Sequence, residues 1–199
     1  ISIGKEANIF SARKENTYRI VKIYRLESCN FNKMYDYIKY DPRYYNVKKQ
    51  RRKIIFAWVQ REFRNIMKAR EAGCRVPMPI AIRDHLIVIE FIGNNKTGQT
   101  AQRLKQAPPE NPETFFKEVI KNITLLYHKA KLIHGDLSEY NILNDNEAPV
   151  IIDFSQATSI DAANAEELLD RDVKNMVVYF RKHGLNITAE ILKKRIVGK

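Results

Sequence analysis

The chain has 199 residues, enough for one large domain or a pair of lobes, and its 44% hydrophobic content, with ten tyrosines and nine phenylalanines, excludes a disordered polypeptide. No apolar run approaches the roughly 18 residues of a membrane-spanning helix, and the opening SIGKEANIF lacks the charged, apolar and small-residue blocks of a signal peptide. The formal charge is +12, and two cysteines, Cys29 and Cys74, are too few for a disulfide framework and lack metal-ligand spacing, so free thiols and a cytoplasmic protein are expected. The chain opens on Ile1 rather than methionine, and a preceding N-terminal segment is expected.

In chain order, residues 8–12 and 17–24 read as two strands around the turn-like RKEN, a hairpin. Residues 25–53 carry nine basic side chains against three acidic ones (Glu27, Asp36 and Asp41), a net +6 that is half the excess of the whole chain. Phe31, Tyr35, Tyr37, Tyr40, Tyr44 and Tyr45 interleave with these cations, a pattern suited to phosphate neutralisation and base stacking; a solvated, partly mobile insertion is the alternative. Ile55, Val59, Glu62, Ile66 and Ala69 then recur at helical spacing, and Gly73 with the breakers Pro77 and Pro79 ends a helix predicted over residues 53–72. Residues 79–83 and 85–91 predict two strands about a tight turn at Asp84.

The polar GNNKTGQT and the proline-rich QAPPENPE change the character of the chain, which divides into a β-rich N-lobe over residues 1–92, a hinge and connector over 93–111 and a helical C-lobe over 112–199. Asn111 and Pro112 predict an N-cap and first turn, with Phe116, Val119, Ile120, Ile123, Leu126 and Tyr127 as the buried face of a helix to about residue 130. Residues 163–183 predict another helix with Leu169, Asp172, Val173, Met176 and Phe180 on one face, and Thr188 caps a last one through residue 196.

Within this frame several charges sit where charges are expensive. IHGDLSEYNIL at 133–143 and VIIDFSQ at 150–156 place Asp136, Asn141 and Asp153 beside short apolar strands, and a carboxylate there needs a cation or hydrogen-bond donors. Lys22 inside RIVKIY and Glu62 on a helix's apolar stripe have the same problem. Together they follow the order of a protein-kinase-like site. A strand lysine holds the α- and β-phosphates, a helix glutamate positions it, Asp136 faces the attacking hydroxyl, and Asn141 with Asp153 holds the divalent cations. The plainer alternatives are a solvent-facing Lys22 between inward Val21 and Ile23, and a Glu62 paired on the surface with Arg61 or Arg64. His134 reads as a packed structural histidine, and Asp172 as a hydrogen-bond partner for the backbone of the 134–141 loop.

SIGKEANIF at 2–10, RIVKIY at 19–24, VIEFIG at 88–93, LIHGDLSEYNIL at 132–143 and VIIDFSQA at 150–157 together resemble the RIO atypical serine/threonine protein kinases, and GKEAN, LSEYN and IDFSQ resemble the Rio-one branch. The resemblance runs from Ser2 to RDVKN at 171–175 and implies an α+β, bilobal protein-kinase-like fold, with a small β-rich N-lobe, a helical C-lobe and truncated activation and peptide-docking segments. It implies ATP with Mg²⁺ or Mn²⁺. Lys22 would hold the phosphates and pair with Glu62, Ile89 would be the gatekeeper, the Glu90 carbonyl and Ile92 amide would bind adenine, and Ser2 and Lys5 would lie over the phosphates. Asp136 would be the catalytic aspartate, and Asn141 and Asp153 the metal ligands. The resemblance further implies that Asp153 accepts phosphate as an aspartyl intermediate, making the protein an ATPase switch as much as an autophosphorylating kinase, and that it serves late maturation of the small ribosomal subunit. Precursor RNA and protein would then be partners, with residues 25–53 as a candidate contact.

Two other classes of function remain at this point. A small-molecule kinase of the aminoglycoside or choline type shares HGDL, but usually carries His where this chain has Ser138 and has a larger helical lobe; an RNA-binding assembly factor could use the nucleotide site only as a sensor. The chain departs from the family it resembles at Ile3, where Thr is common, and from ordinary protein kinases at Gly135 and Ser155, where they have Arg and Gly. Only residues 156–162 precede the next helix, leaving no room for a phosphate-controlled activation loop.

Overall fold

Alternating side chains in the first ninety residues build an antiparallel sheet on which the rest of the N-terminal half is assembled. The computed structural model describes residues 2–3, 6–27, 31–39, 41–44 and 47–198, the side chains at 2, 3 and 42 excepted. Among the described residues, β1 (Ser2–Ile3), β2 (Ala7–Lys14), β3 (Thr17–Tyr24), β4 (Pro79–Arg83) and β5 (Leu86–Glu90) form a five-stranded sheet in the order β1-β2-β3-β5-β4. The β2–β3 connection is tighter than RKEN suggests. Arg13 and Lys14 continue the ladder opposite Tyr18 and Thr17, leaving Glu15, at φ 56°, and Asn16 to turn the chain.

One long helix, α2 (Arg51–Glu71), packs on this sheet with Ile54, Ile55, Trp58, Val59, Ile66 and Ala69 buried. The segment before it is not the solvated insertion its charge allows. It forms α1 (Phe31–Lys39) and a short 3-10 turn (Pro42–Tyr44), and Met34, Ile38 and Tyr44 are buried in the common core. The 31, 34, 38 spacing is one helical stripe, and Tyr37 meets Trp58 edge-on with ring centroids 5.9 Å apart. Cys29, Tyr40 and Tyr45 lie outside the described residues.

The stretch after β5 is ordered into short strands: β6 (Gly93–Asn94) pairs with β7 (Gln99–Thr100), and β8 (Gln102–Arg103) joins the later hairpin of β10 (Ile142–Asp145) and β11 (Ala148–Ile151). Between them α3 (Pro112–His128) begins where Asn111 accepts the Thr114 amide at 3.0 Å, a cap contributing about 1 kcal/mol. Its Phe115, Phe116, Val119, Ile123 and Leu126 are buried, each such side chain being worth about 1.5–3 kcal/mol. β9 (Leu132–Ile133) pairs with β12 (Thr158–Ser159), bringing the segments on either side of Asp136 and Asp153 together. The chain ends in α4 (Ala165–Lys182) and α5 (Ala189–Val197), the latter capped by the Thr188 hydroxyl on Ile191 N–H. No helix among the described residues is long and apolar enough to cross a membrane.

Candidate active site

Lys22 lies in the middle of β3, opposite Ile9 on one side and Ile87 on the other, and shares its buried face with Tyr24. Its ammonium is 2.5 Å from Glu62 Oε1 and 3.4 Å from Asp153 Oδ1. The Tyr24 hydroxyl donates to the other Glu62 oxygen, so both oxygens of a carboxylate only 1% exposed have partners. Burial pulls the Lys22 pKa down, but Asp153 and Glu62 outweigh it and raise it, so the cation persists. The solvent-facing alternative for Lys22 therefore fails, as does surface pairing for Glu62: Arg61 is itself fully buried and turned to Asp41, and Arg64 reaches the Tyr44 hydroxyl.

The catalytic-loop segment is fixed from several sides. Asp172 on α4 accepts the Gly135 and Leu137 amides, both at 2.8 Å, so it binds the loop backbone as its place on an apolar stripe suggests. Gly135 has φ 77°, and a Cβ there would come within 2.9 Å of the Gln156 carbonyl, which explains glycine where ordinary kinases carry arginine. The guanidinium comes instead from α4: Arg171 donates to the Gly135 carbonyl, and Asn175 donates to the Leu137 carbonyl at 2.9 Å. His134 is buried against Phe154, with Nε2 3.0 Å from the Ile152 carbonyl, a structural placement. Asn141 Nδ2 donates to the Asp136 carbonyl at 2.8 Å and lies 3.4 Å from Asp136 Oδ2, while Gln156 Nε2 is 3.2 Å from that same oxygen. Two amides thus converge on one oxygen of Asp136.

Between the sheet and these loops lies a cleft of about 480 Å³. Ile9, Ile20, Ile66, Leu143 and Ile152 give it apolar walls suited to a flat heteroaromatic ring; Ile89 and Ile92 line it too, and Lys22, Asn141 and Asp153 form its polar end. The Ile92 carbonyl is taken by the Ala101 amide at 2.9 Å. The Glu90 carboxylate accepts the Met78 amide and faces Arg70 at 3.7 Å, so only the backbone of Glu90 is suited to the adenine role. The side chains of Ser2 and Lys5, expected over the phosphates, lie outside the described residues.

The polar end suits a hard cation. Burial pushes the Asp153 carboxyl up, but Lys22, a Ser155 hydrogen bond and His134 together hold it below the usual carboxylate range, and its side chain is 43% exposed. With its amide nitrogen engaged by Asp136, Asn141 keeps its carbonyl oxygen as the second hard donor. Two hard oxygens from the protein suit Mg²⁺, a cation that takes one or two protein oxygens plus phosphates and water.

Four residues here escape sequence reasoning. Gln156 ends the IDFSQ run and Arg171 stands beside Asp172 in RDVKN, but neither run announces the contact its residue makes. Arg61 and Asn65 on α2 bind the carbonyls of Ser155, Phe154 and Ala157; their places one residue before and three after Glu62 were the available signal. Cys74, the second expected free thiol, is buried, and burial pushes it up to about 12.

Comparison with known proteins agrees with this geometry. A family model described as RIO domain matches residues 8–192. The RIO-type serine/threonine-protein kinase Rio1 of Haloferax volcanii is 39% identical over 199 residues, covering 100% of this chain and 68% of that protein. The protein of the same name from Methanocaldococcus jannaschii is 41% identical with the same coverage. A solved Rio2 kinase–ADP/Mg²⁺–phosphoaspartate complex from Chaetomium thermophilum matches with a TM-score of 0.70 and 27% identity, over 100% of this chain and 60% of that one. Fold and site together define a protein-kinase-like phosphotransferase. The chain belongs to the RIO family of serine/threonine protein kinases, on the Rio1 side, which decides against the aminoglycoside or choline kinase reading.

Proposed function

We propose that this chain transfers the γ-phosphoryl group of ATP to serine or threonine hydroxyls, its own included, with Mg²⁺ or Mn²⁺, and that it also works as an ATPase switch through Asp153. The observation that carries the reading is the Lys22 ammonium held between Glu62 and Asp153 at 2.5 and 3.4 Å, at the polar end of an apolar cleft. Lys22 would bind the α- and β-phosphates, and the Glu90 carbonyl with the Ile92 amide would bind adenine. Asn141 and Asp153 would hold the cation, which when bound neutralises charge on the phosphates. Asp136 would accept the proton of the attacking hydroxyl, with Gln156 and Asn141 fixing the carboxylate so that its other oxygen faces the acceptor.

An aspartyl phosphate on Asp153 draws support from the phosphoaspartate in the related Rio2 complex. In this step an Asp153 oxygen bonds the γ-phosphorus, the bond to the β-bridging oxygen breaks and ADP leaves; water later hydrolyses the acyl phosphate. The same reading puts the protein in the cytoplasm on small-ribosomal-subunit precursors, with the exposed cations of residues 48–53 as an RNA contact.

Asp136→Ala is expected to lower phosphoryl transfer at least about 100-fold, the lower bound for loss of a general base, while ADP affinity measured by calorimetry stays near wild type. Undiminished turnover would sink the reading. Acid- and base-stability of the labelled product then separates phosphoserine, acyl phosphate and free phosphate.

A further inference from the structure

Asp153 has its backbone in the left-handed region, at φ 65°. What holds it comes from outside the usual kinase site. The three residues whose carbonyls follow it are gripped by two side chains of α2: Arg61 Nη1 binds the Ser155 carbonyl at 3.0 Å, and Asn65 Nδ2 binds the carbonyls of Phe154 and Ala157 at 3.3 and 2.7 Å. Both α2 side chains are themselves held by the turn after α1. Asp41, only 1% exposed, accepts Arg61 Nε at 3.0 Å. Arg43 chelates Asp41 with bonds of 2.9 and 2.6 Å and reaches Asn65 Oδ1 at 3.1 Å.

We infer that Asp41 and Arg43 are positioning residues of the active site: through Arg61 and Asn65 they clamp the 154–157 backbone and hold Asp153 in the orientation that binds the metal. The basic, aromatic segment thus has a mechanical role besides any surface role. A buried arginine held at Nε and Nη1 shifts only at the cost of leaving a charge or a carbonyl unpaired. Loss of its anchor frees the Ser155 carbonyl and lets Asp153 relax toward ordinary backbone angles, away from the cation.

This inference rests on the proposed phosphoryl-transfer reading with Asp153 as a metal ligand. Its test uses Asp41→Asn, which keeps shape and removes charge, in the full chain. Mn²⁺ affinity of the ADP-bound protein, read by electron paramagnetic resonance, is expected to fall about tenfold, and amide hydrogen exchange across residues 154–157 to accelerate, while ADP affinity without metal is unchanged. A merely structural role would lower thermal stability and leave Mn²⁺ affinity per folded molecule unaltered, and that result overturns the inference. Arg43→Gln, at a partly exposed side chain, is expected to give a smaller shift of the same sign; if Asp41→Asn does not fold, an unchanged Mn²⁺ affinity in Arg43→Gln overturns it instead. A wild-type chain that binds no Mn²⁺ with ADP overturns both the inference and the reading beneath it.

Discussion

Asp136 shows how one carboxylate is given a direction. With Gln156 and Asn141 on the same oxygen at 3.2 and 3.4 Å, its second oxygen is engaged by neither amide. Glu6, on the approach to β2, is a carboxylate whose role no local pattern announces. Burial, then the Asp153 charge, pushes its carboxyl up to about 7. A folded value above the unfolded one means the unfolded chain ionises first, so the contribution of Glu6 to stability falls as pH rises from about 4.5 to about 7. Glu6→Gln removes that loss. In urea titrations of the nucleotide-free chain, its advantage over wild type is expected to be near zero below pH 4.5 and to grow to a plateau above pH 7; a pH-independent difference would refute the assignment.

At the scale of elements, α2 serves the site with adjacent faces. Glu62 and Ile66 face the cleft, while Arg61 and Asn65 face the strand-to-turn segment that carries Asp153. Its first turn, with Lys48 and Lys49 just before it, presents exposed cations, several over aromatic rings: Arg52 lies 5.3 Å from the Phe56 centroid and Lys49 5.1 Å from Tyr35. These side chains are solvent-facing while the apolar stripe of α1 is buried. Neutralising Lys48, Lys49, Arg51, Arg52 and Lys53 to Gln is expected to weaken binding to small-subunit RNA and flatten its salt dependence, by up to about 0.7 in log–log slope per lost phosphate contact. Filter-binding titrations across a salt series check this, and equal slopes would remove the RNA role.

Across the whole molecule, the nucleotide cleft is walled by the sheet on one side and by β8, β10 and the catalytic segments on the other. A ligand touching both should stabilise both together. ADP with Mg²⁺ is expected to raise the melting temperature in one cooperative transition, by the equivalent of about 2.7 kcal/mol at a hundredfold excess over Kd. Calorimetry showing a shift in only part of the unfolding enthalpy would contradict the coupling.

Lys22, Glu62, Asp136, Asn141 and Asp153 were legible in the sequence because each charge sits in an apolar run or stripe where nothing local can satisfy it, and because the last three stand at fixed short offsets. Helix α3 was legible from its cap and stripe for the same reason of locality. The partners were not. Arg61 finds Ser155 across 94 residues, Asp41 finds Arg61 across 20, and Gln156 finds Asp136 across 20, distances over which no periodicity runs. The packing of α1 was not legible because net charge describes a whole stretch while packing acts on one face of it. The sequence alone therefore determined which polar side chains would be brought together. Only the tertiary structure decided which buried groups hold them in place, since a hydrogen bond is set by position in space and leaves no mark on the spacing along the chain.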